Sequence, residues 1–137
     1  MIKILIKVTG GFTGLHGDSK TTEFISLNGS SRYGPNLPRW RDDHCMVTLQ
    51  NGSILLLGSD VGGYQKHYNS TVFFDPVSKS FTPGQEMNYF RYSSGCAHFQ
   101  SSYHGNRPIV IVVGGRTTSS FNPGNKTEIL DYTVVSL

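Results

Sequence analysis

The stretch Pro108-Ile-Val-Ile-Val-Val-Gly-Gly115 decides the fold, because similar stretches occur twice earlier in the chain. Ser53-Ile-Leu-Leu-Leu-Gly-Ser59 has the same apolar run ending in glycine, and Gly10-Gly11 follows the apolar N-terminus. The first glycines of the three stretches, at positions 10, 58 and 114, are 48 and 56 residues apart. A period of roughly 20–50 residues is typical of repeat architectures. We therefore expect a chain built from repeated units.

Two further landmarks repeat with a similar period. The stretches Thr22–Ser26, Thr71–Asp75 and Thr127–Asp131 follow the three glycines and are 49 and 56 residues apart. Leu37–Gln50 aligns with Met87–Gln100 at an offset of 50 residues without a gap. Independent landmarks thus support the same repeat.

Composition predicts an all-β protein. The 137 residues include 16 Gly and 6 Pro, which interrupt helices, and only one Ala and three Glu, which favour them. The net charge of +3 comes from basic residues that are scattered along the chain, so nucleic acid is not an expected partner. No apolar run approaches the ~18 residues of a membrane span.

Each repeat is predicted to contain four strands, A to D. In the middle unit these are about 43–49, 53–58, 70–75 and 80–82, and Asn51-Gly52 predicts a two-residue hairpin between A and B. Strand B is apolar almost throughout, as expected for a strand buried on both faces. The chain then runs B-C-D, A-B-C-D, A-B-C, in units of approximately 1–41, 42–91 and 92–137 of a single domain. Four-stranded sheets repeated at this period are typical of propeller blades.

Each unit resembles the kelch motif. The shared features are an apolar strand ending in Gly-Gly, a polar connection, a second strand and an Arg before the next unit. The resemblance covers essentially the whole chain, although Ser59 replaces the second glycine and Tyr33 and Phe81 stand where kelch units usually carry Trp. It implies about two and a half four-stranded antiparallel blades of a kelch-type β-propeller. A closed propeller needs at least about four blades, so we expect an incomplete ring and a fragment of a longer propeller, closed by other blades of the same chain.

Two sets of residues are predicted to be structural. The glycines leave room for a sharp turn at the crowded end of strand B. By the same resemblance, Arg41 and Arg91 are expected to hydrogen-bond carbonyl groups between neighbouring blades. The structural residues are Gly10, Gly11, Gly58, Gly114, Gly115, Arg41 and Arg91.

The B-C and D-A connections are predicted to share one face of the blades, because successive connections alternate between the two ends of a meander. This face is rich in Tyr, Arg and His, which suit an interface. Trp40 and Phe90, just before the two arginines, are instead expected to pack between blades. The candidate partner-binding residues are His16, Arg39, Tyr64, Lys66, His67, Tyr68, Tyr89 and Arg116.

No catalytic or metal-ligating constellation is visible, since no two histidines have a ligand spacing and the adjacent Asp42-Asp43 alternate in direction along a strand. The sequence therefore predicts a non-enzymatic module without a cofactor that binds an unidentified protein or peptide. The alternative is a segment of a kelch-type propeller enzyme, for example one resembling copper oxidases, with its active residues in other blades.

The two cysteines lie in predicted strands. The 50-residue offset aligns Cys45 with Gly95 and Cys96 with Met46, which places them on opposite faces of equivalent strands. A Cys45–Cys96 disulfide is therefore disfavoured, unless a bulge at Ser94 brings the two positions into register.

Four sequons of the form Asn-x-Ser/Thr lie in or beside predicted turns and loops. They begin at Asn28, Asn51, Asn69 and Asn125. Because turn-rich β chains also produce such tripeptides without glycosylation, the sequence leaves open whether the protein is secreted or cytoplasmic.

Overall fold

The computed structural model describes residues 4–12, 14, 19–60, 68–116 and 125–132. In these residues it contains ten β-strands and one short 3-10 helix, Ser102–His104. The prediction of an all-β protein is therefore confirmed. No helix in the described part of the chain is long and apolar enough to cross a membrane.

The strands form three antiparallel sheets that follow one another along the chain. Sheet 1 has the order β1-β2-β3, sheet 2 the order β4-β5-β6-β7, and sheet 3 the order β10-β9-β8. Neighbouring strands in each sheet are consecutive in sequence, as the B-C-D, A-B-C-D, A-B-C pattern predicts. The bounds are β1 Ile4–Thr9, β2 Thr22–Ser26, β3 Ser31–Tyr33, β4 Cys45–Thr48, β5 Ile54–Ser59, β6 Tyr68–Asp75, β7 Ser80–Pro83, β8 Gly95–Ser101, β9 Arg107–Val113 and β10 Thr127–Asp131.

The hairpin between β4 and β5 is longer than predicted. The Leu49 N–H donates to the Ser53 carbonyl and the Gly52 N–H donates to the Leu49 carbonyl, so Gln50, Asn51 and Gly52 form a three-residue loop. Only Gly52 has a positive φ, of 85°, whereas a type I′ turn needs positive φ at both central residues. The Asn51 side chain caps the loop instead, because its Oδ1 accepts a hydrogen bond of 3.0 Å from the Ser53 N–H.

Sheet 2 lies between the other two sheets, and its central strand β5 is buried on both faces. Leu55, Leu56 and Leu57 of β5 are completely buried, as a two-sided strand requires. On one face, the Phe74 ring packs 5.8 Å from the ring of Phe24 in sheet 1. On the other face, sheets 2 and 3 share one core cluster, which consists of Val47, Leu55, Leu57, Met87, Val110, Val112 and Leu130.

The prediction that Cys45 and Cys96 do not pair is wrong. The strand register agrees with the predicted alignment, since Cys45 lies opposite Leu57 in β5 and Cys96 lies opposite Val112 in β9. The two residues are nevertheless joined by a disulfide, with their Cα atoms 6.1 Å apart. The sheets stack so that the face of sheet 2 that carries Cys45 packs against the face of sheet 3 that carries Cys96. Residues on opposite faces of equivalent strands therefore meet, and no bulge at Ser94 is needed.

Candidate partner-binding rim

The connections between strands divide into two groups at opposite ends of the sheets. We call the described residues 10–12, 19–21, 34–44, 60, 84–94, 114–116 and 125–126 the long-loop rim. The turn rim comprises residues 27–30, 49–53, 76–79 and 102–106. The long-loop rim corresponds to the predicted B-C and D-A face.

Two buried arginines hold the long-loop rim to the sheets. The Arg41 guanidinium donates to the Gly58 carbonyl (2.8 Å), the Ser70 carbonyl (3.2 Å) and the Ser70 hydroxyl (2.7 Å). Its backbone carbonyl accepts a hydrogen bond from the Gly11 N–H, beside sheet 1. Arg41 therefore connects the ends of sheets 1 and 2.

Arg91 repeats this arrangement one unit later and adds an ion pair. Its guanidinium donates to the Gly114 carbonyl (2.7 Å), the Lys126 carbonyl (3.2 Å) and Oε1 of Glu128 (2.7 Å). The Arg91 and Glu128 side chains are 0% and 3% exposed. The Glu128 carboxylate also accepts hydrogen bonds from the backbone N–H groups of Asn88 and Tyr89. The carboxylate thus fixes the loop before Arg91 as well as the arginine.

The glycines before this rim provide space for the arginine backbone. Gly10 and Gly58 have φ values of 63° and 67°, and a Cβ at either position would overlap the carbonyl oxygen of Arg41 or Arg91. The Ser59 N–H donates to that Arg91 carbonyl (3.1 Å). The remaining predicted glycines, Gly11, Gly114 and Gly115, also have positive φ values, of 105°, 66° and 97°. At Gly10 and Gly58, the close approach of the loop that leads to the next sheet requires glycine, in addition to the turn itself.

Trp40 and Phe90 are exposed on this rim, so the expectation that they pack between sheets is wrong. Their exposed fractions are 55% and 51%, and each precedes a completely buried arginine. The arginine side chain enters the protein, and its neighbour in the loop faces outward. The two aromatics occupy equivalent positions 50 residues apart.

The predicted partner-binding residues differ in their settings. Arg39 and Arg116 are exposed, and the Arg116 guanidinium lies 5.9 Å from the Tyr92 ring. Tyr89 is half-buried, with the Arg91 guanidinium 5.7 Å from its ring, so it supports the rim more than it offers contact area. Tyr68 begins β6. His16, Tyr64, Lys66 and His67 lie outside the described residues.

Two non-glycine residues at equivalent positions of the rim have left-handed backbones. Asp43 and Ser93 have φ values of 48° and 50°, a conformation that costs an L-residue roughly 1–2 kcal/mol. The Ser93 N–H donates to the Asp43 carbonyl (2.8 Å), and its hydroxyl lies 3.2 Å from Oδ2 of Asp43. These bonds connect one unit to the next and help to offset the strain. No pattern in the sequence indicates this contact.

His44 lies on this rim and is half-buried. His44 Nε2 lies 2.8 Å from the Thr9 hydroxyl. Burial, with the nearby positive charge of Arg41, lowers the pKa of His44 to about 4, although Asp43 opposes the shift. Among the described residues no three His, Cys, Asp or Glu side chains form a group that could hold a metal ion.

A pocket of about 280 Å³ lies at the opposite end, on the turn rim between sheets 2 and 3. Burial raises the pKa of Tyr132 in its wall to about 12, so the phenol is neutral there, with a smaller opposing effect from the Thr71 hydroxyl. The pocket is lined by Leu49, Gln50, Asn51, His98, Pro108 and Tyr132. It is separate from the predicted partner-binding residues.

Comparison with known proteins shows a similarity in fold. No protein-family model matches the sequence, and no curated protein matches it. Among solved structures, the chain is similar to a novel fungal alcohol oxidase of the AA5 family, in complex with copper, with a TM-score of 0.67 and 18% sequence identity. The similarity covers 87% of this chain and 26% of that chain, so the present chain spans about a quarter of the oxidase.

Proposed function

We propose that the chain is a non-enzymatic module that binds a protein or peptide partner through its long-loop rim. The observation that supports this proposal best is the exposure of Trp40 and Phe90 at equivalent positions of that rim. Large aromatic side chains and Arg contribute much of the binding energy in protein interfaces. Exposed Arg39 adds a positive charge beside Trp40.

The support beneath the two aromatics favours binding. Each lies next to a buried arginine whose guanidinium makes three hydrogen bonds. A rim that is rigid before binding loses less conformational entropy when a partner docks. Because the two positions repeat in successive units, an extended peptide that crosses both units suits them.

We also propose that the three sheets are blades of a kelch-type propeller, about two and a half of a longer ring. Phe99, Val113 and Ile129 on the outer face of sheet 3 are 43%, 49% and 49% exposed. The equivalent residues, Leu57 and Phe73 of sheet 2 and Leu49 directly after β4, pack against the core that sheet 3 completes. A further sheet of the same kind would cover the outer face of sheet 3 in the same way.

The test is a binding assay on the full-length protein with the partner that copurifies with it. Removing an aromatic anchor from an interface costs about 2 kcal/mol or more, or roughly 30-fold in Kd. We expect Trp40→Ala and Phe90→Ala each to weaken binding to this extent. The matched control is Tyr103→Ala, because Tyr103 is 99% exposed on the turn rim. Equal affinities for all four proteins would refute the proposed site.

The second candidate is a propeller enzyme. It is favoured by the similarity in fold to the copper-containing alcohol oxidase. In this case the active residues lie in parts of the protein beyond those described, and metal analysis of the full-length protein should find stoichiometric copper. A metal-free protein that binds its partner with full affinity would favour the binding module.

A further inference from the structure

Two of the four sequons lie in exposed turns of the same type. Asn28 is the central residue of the loop Leu27-Asn28-Gly29 between β2 and β3, and Asn51 occupies the same place between β4 and β5. Both side chains are exposed. Oδ1 of each accepts a hydrogen bond from the N–H of the serine two residues later, at 3.0 Å in both cases. Within the described part of the chain, neither Nδ2 donates a hydrogen bond, so the nitrogen that would carry a sugar faces no competing partner.

Asn69 is held differently, although its sequon is equally complete. It lies in β6 and is half-buried. Its Nδ2 donates a hydrogen bond to the Met87 carbonyl (3.0 Å), and its own carbonyl accepts one from the Met87 N–H (2.8 Å). A sugar on this nitrogen would have to occupy space beside the completely packed Met87. Asn69 is therefore not an acceptor in the folded protein.

The disulfide is a second, independent observation about the compartment. Cys45 and Cys96 join two sheets, and no other cysteine is present. Structural disulfides form and persist in oxidising compartments and are rare in the cytosol. The same compartments attach N-linked glycans in eukaryotic cells.

The two accessible sequons also lie at the same end of the molecule. Asn28 and Asn51 are on the turn rim, opposite Trp40 and Phe90. Asn125 is exposed as well, but it lies on the long-loop rim. Glycans on the turn rim would leave the long-loop rim uncovered.

We propose that this is a protein of the secretory pathway that carries N-linked glycans on Asn28 and Asn51 but not on Asn69. In the reaction, Nδ2 of the asparagine forms a bond to C1 of a lipid-pyrophosphate-linked oligosaccharide. The bond between C1 and the pyrophosphate oxygen breaks, the amide loses one proton, and the lipid pyrophosphate leaves with the bonding electrons. No oxidant or reductant takes part.

The first experiment uses the protein isolated from its natural source. Peptide mapping without reduction should show the Cys45 and Cys96 peptides joined. Glycosidase release in heavy-oxygen water, which converts each glycosylated Asn to labelled Asp, should label Asn28 and Asn51 and leave Asn69 unlabelled. Free thiols together with unlabelled Asn28 and Asn51 would overturn the proposal, as would a labelled Asn69 in the folded protein.

The second experiment tests each site during expression in a eukaryotic secretory host. Ser30→Ala and Ser53→Ala destroy one sequon each while keeping the asparagine, and each should lose the mass of one glycan. The matched controls Ser30→Thr and Ser53→Thr keep the sequon and should keep the glycan. An unchanged mass in both alanine variants would contradict the assignment, whatever the long-loop rim binds.

Discussion

The glycine at the end of the central strand β5 provides a sharp test of how closely the loop to the next sheet approaches that strand. Replacing Gly58 with Ala adds a Cβ that would overlap the Arg91 carbonyl oxygen, at a residue whose φ is 67°. Gly52→Ala is the matched control, because Gly52 also has a positive φ, of 85°, but a Cβ there would meet nothing within 4 Å. The difference between the variants isolates the contact from the backbone conformation.

The magnitude follows from two contributions. A left-handed alanine costs roughly 1–2 kcal/mol in either variant, and the loss of glycine entropy in the unfolded chain affects both similarly. In Gly58→Ala alone, the Arg91 backbone must move, which weakens the hydrogen bond from the Ser59 N–H and disturbs a packed site. Overpacking and a lost buried hydrogen bond each cost about 1–3 kcal/mol. We expect Gly58→Ala to be less stable than Gly52→Ala by about 2–6 kcal/mol, the sum of these two contributions.

The assay is urea unfolding of both variants and the parent protein, followed by circular dichroism and extrapolated to water. The central comparison is the difference in the free energy of unfolding between the two variants. If the two variants agree within about 0.5 kcal/mol, which is within the usual range for a neutral surface change, the close contact with the Arg91 carbonyl is not what requires glycine at position 58.

Three further predictions concern the ion pair, the disulfide and the half-buried His44. Arg91→Met should reduce the free energy of unfolding by about 3–5 kcal/mol, because it leaves the buried Glu128 carboxylate without its charged partner. The control Arg107→Met, which breaks the exposed pair with Asp131, should reduce it by less than about 1 kcal/mol. Equal losses in urea unfolding would contradict this ranking. Cys45→Ser should reduce the free energy of unfolding by about 4 kcal/mol, since the cysteines are 51 residues apart. Reduction of the parent protein should lower its free energy of unfolding by a similar amount. No change on reduction would show that the disulfide does not form. The pKa of His44 is about 4 in the folded protein and 6.5 in the unfolded chain, so the unfolded chain binds more protons between these pH values. The free energy of unfolding should therefore fall by about 3 kcal/mol as the pH drops from 6.5 to 4. His44→Gln should remove that part of the pH dependence, and an unchanged profile in this variant would show that His44 is not its source.

The repeat and the strands could be predicted from the sequence because both depend on local patterns. Thr22–Ser26 and Thr127–Asp131 were expected as strands and have those bounds in the structure. The Asn51-Gly52 turn was located correctly but has a three-residue loop, because Asn51 uses its side chain to cap the turn and does not adopt a positive φ.

What could not be predicted depends on how one sheet meets the next. The sequence alignment placed Cys45 and Cys96 correctly on opposite faces of equivalent strands. Those two faces meet because sheet 3 stacks on the Cys45 face of sheet 2, which the sequence of a single sheet does not determine. Trp40 and Phe90, at equivalent positions just before the two arginines, were expected to pack between blades, yet the loops turn both aromatic rings outward. Glu128 left a signal that was missed: it stands 56 residues after Val72, a buried apolar position, so a charge there needed a partner such as Arg91.

The most direct test of the proposed function is site-directed photo-crosslinking of the full-length protein. A photoreactive phenylalanine analogue would replace Trp40, Phe90 or, as the control, Tyr103 on the turn rim. We predict a crosslinked adduct with the same partner from positions 40 and 90 and none from position 103. Adducts from position 103, with none from positions 40 and 90, would contradict the claim that the long-loop rim is the binding surface.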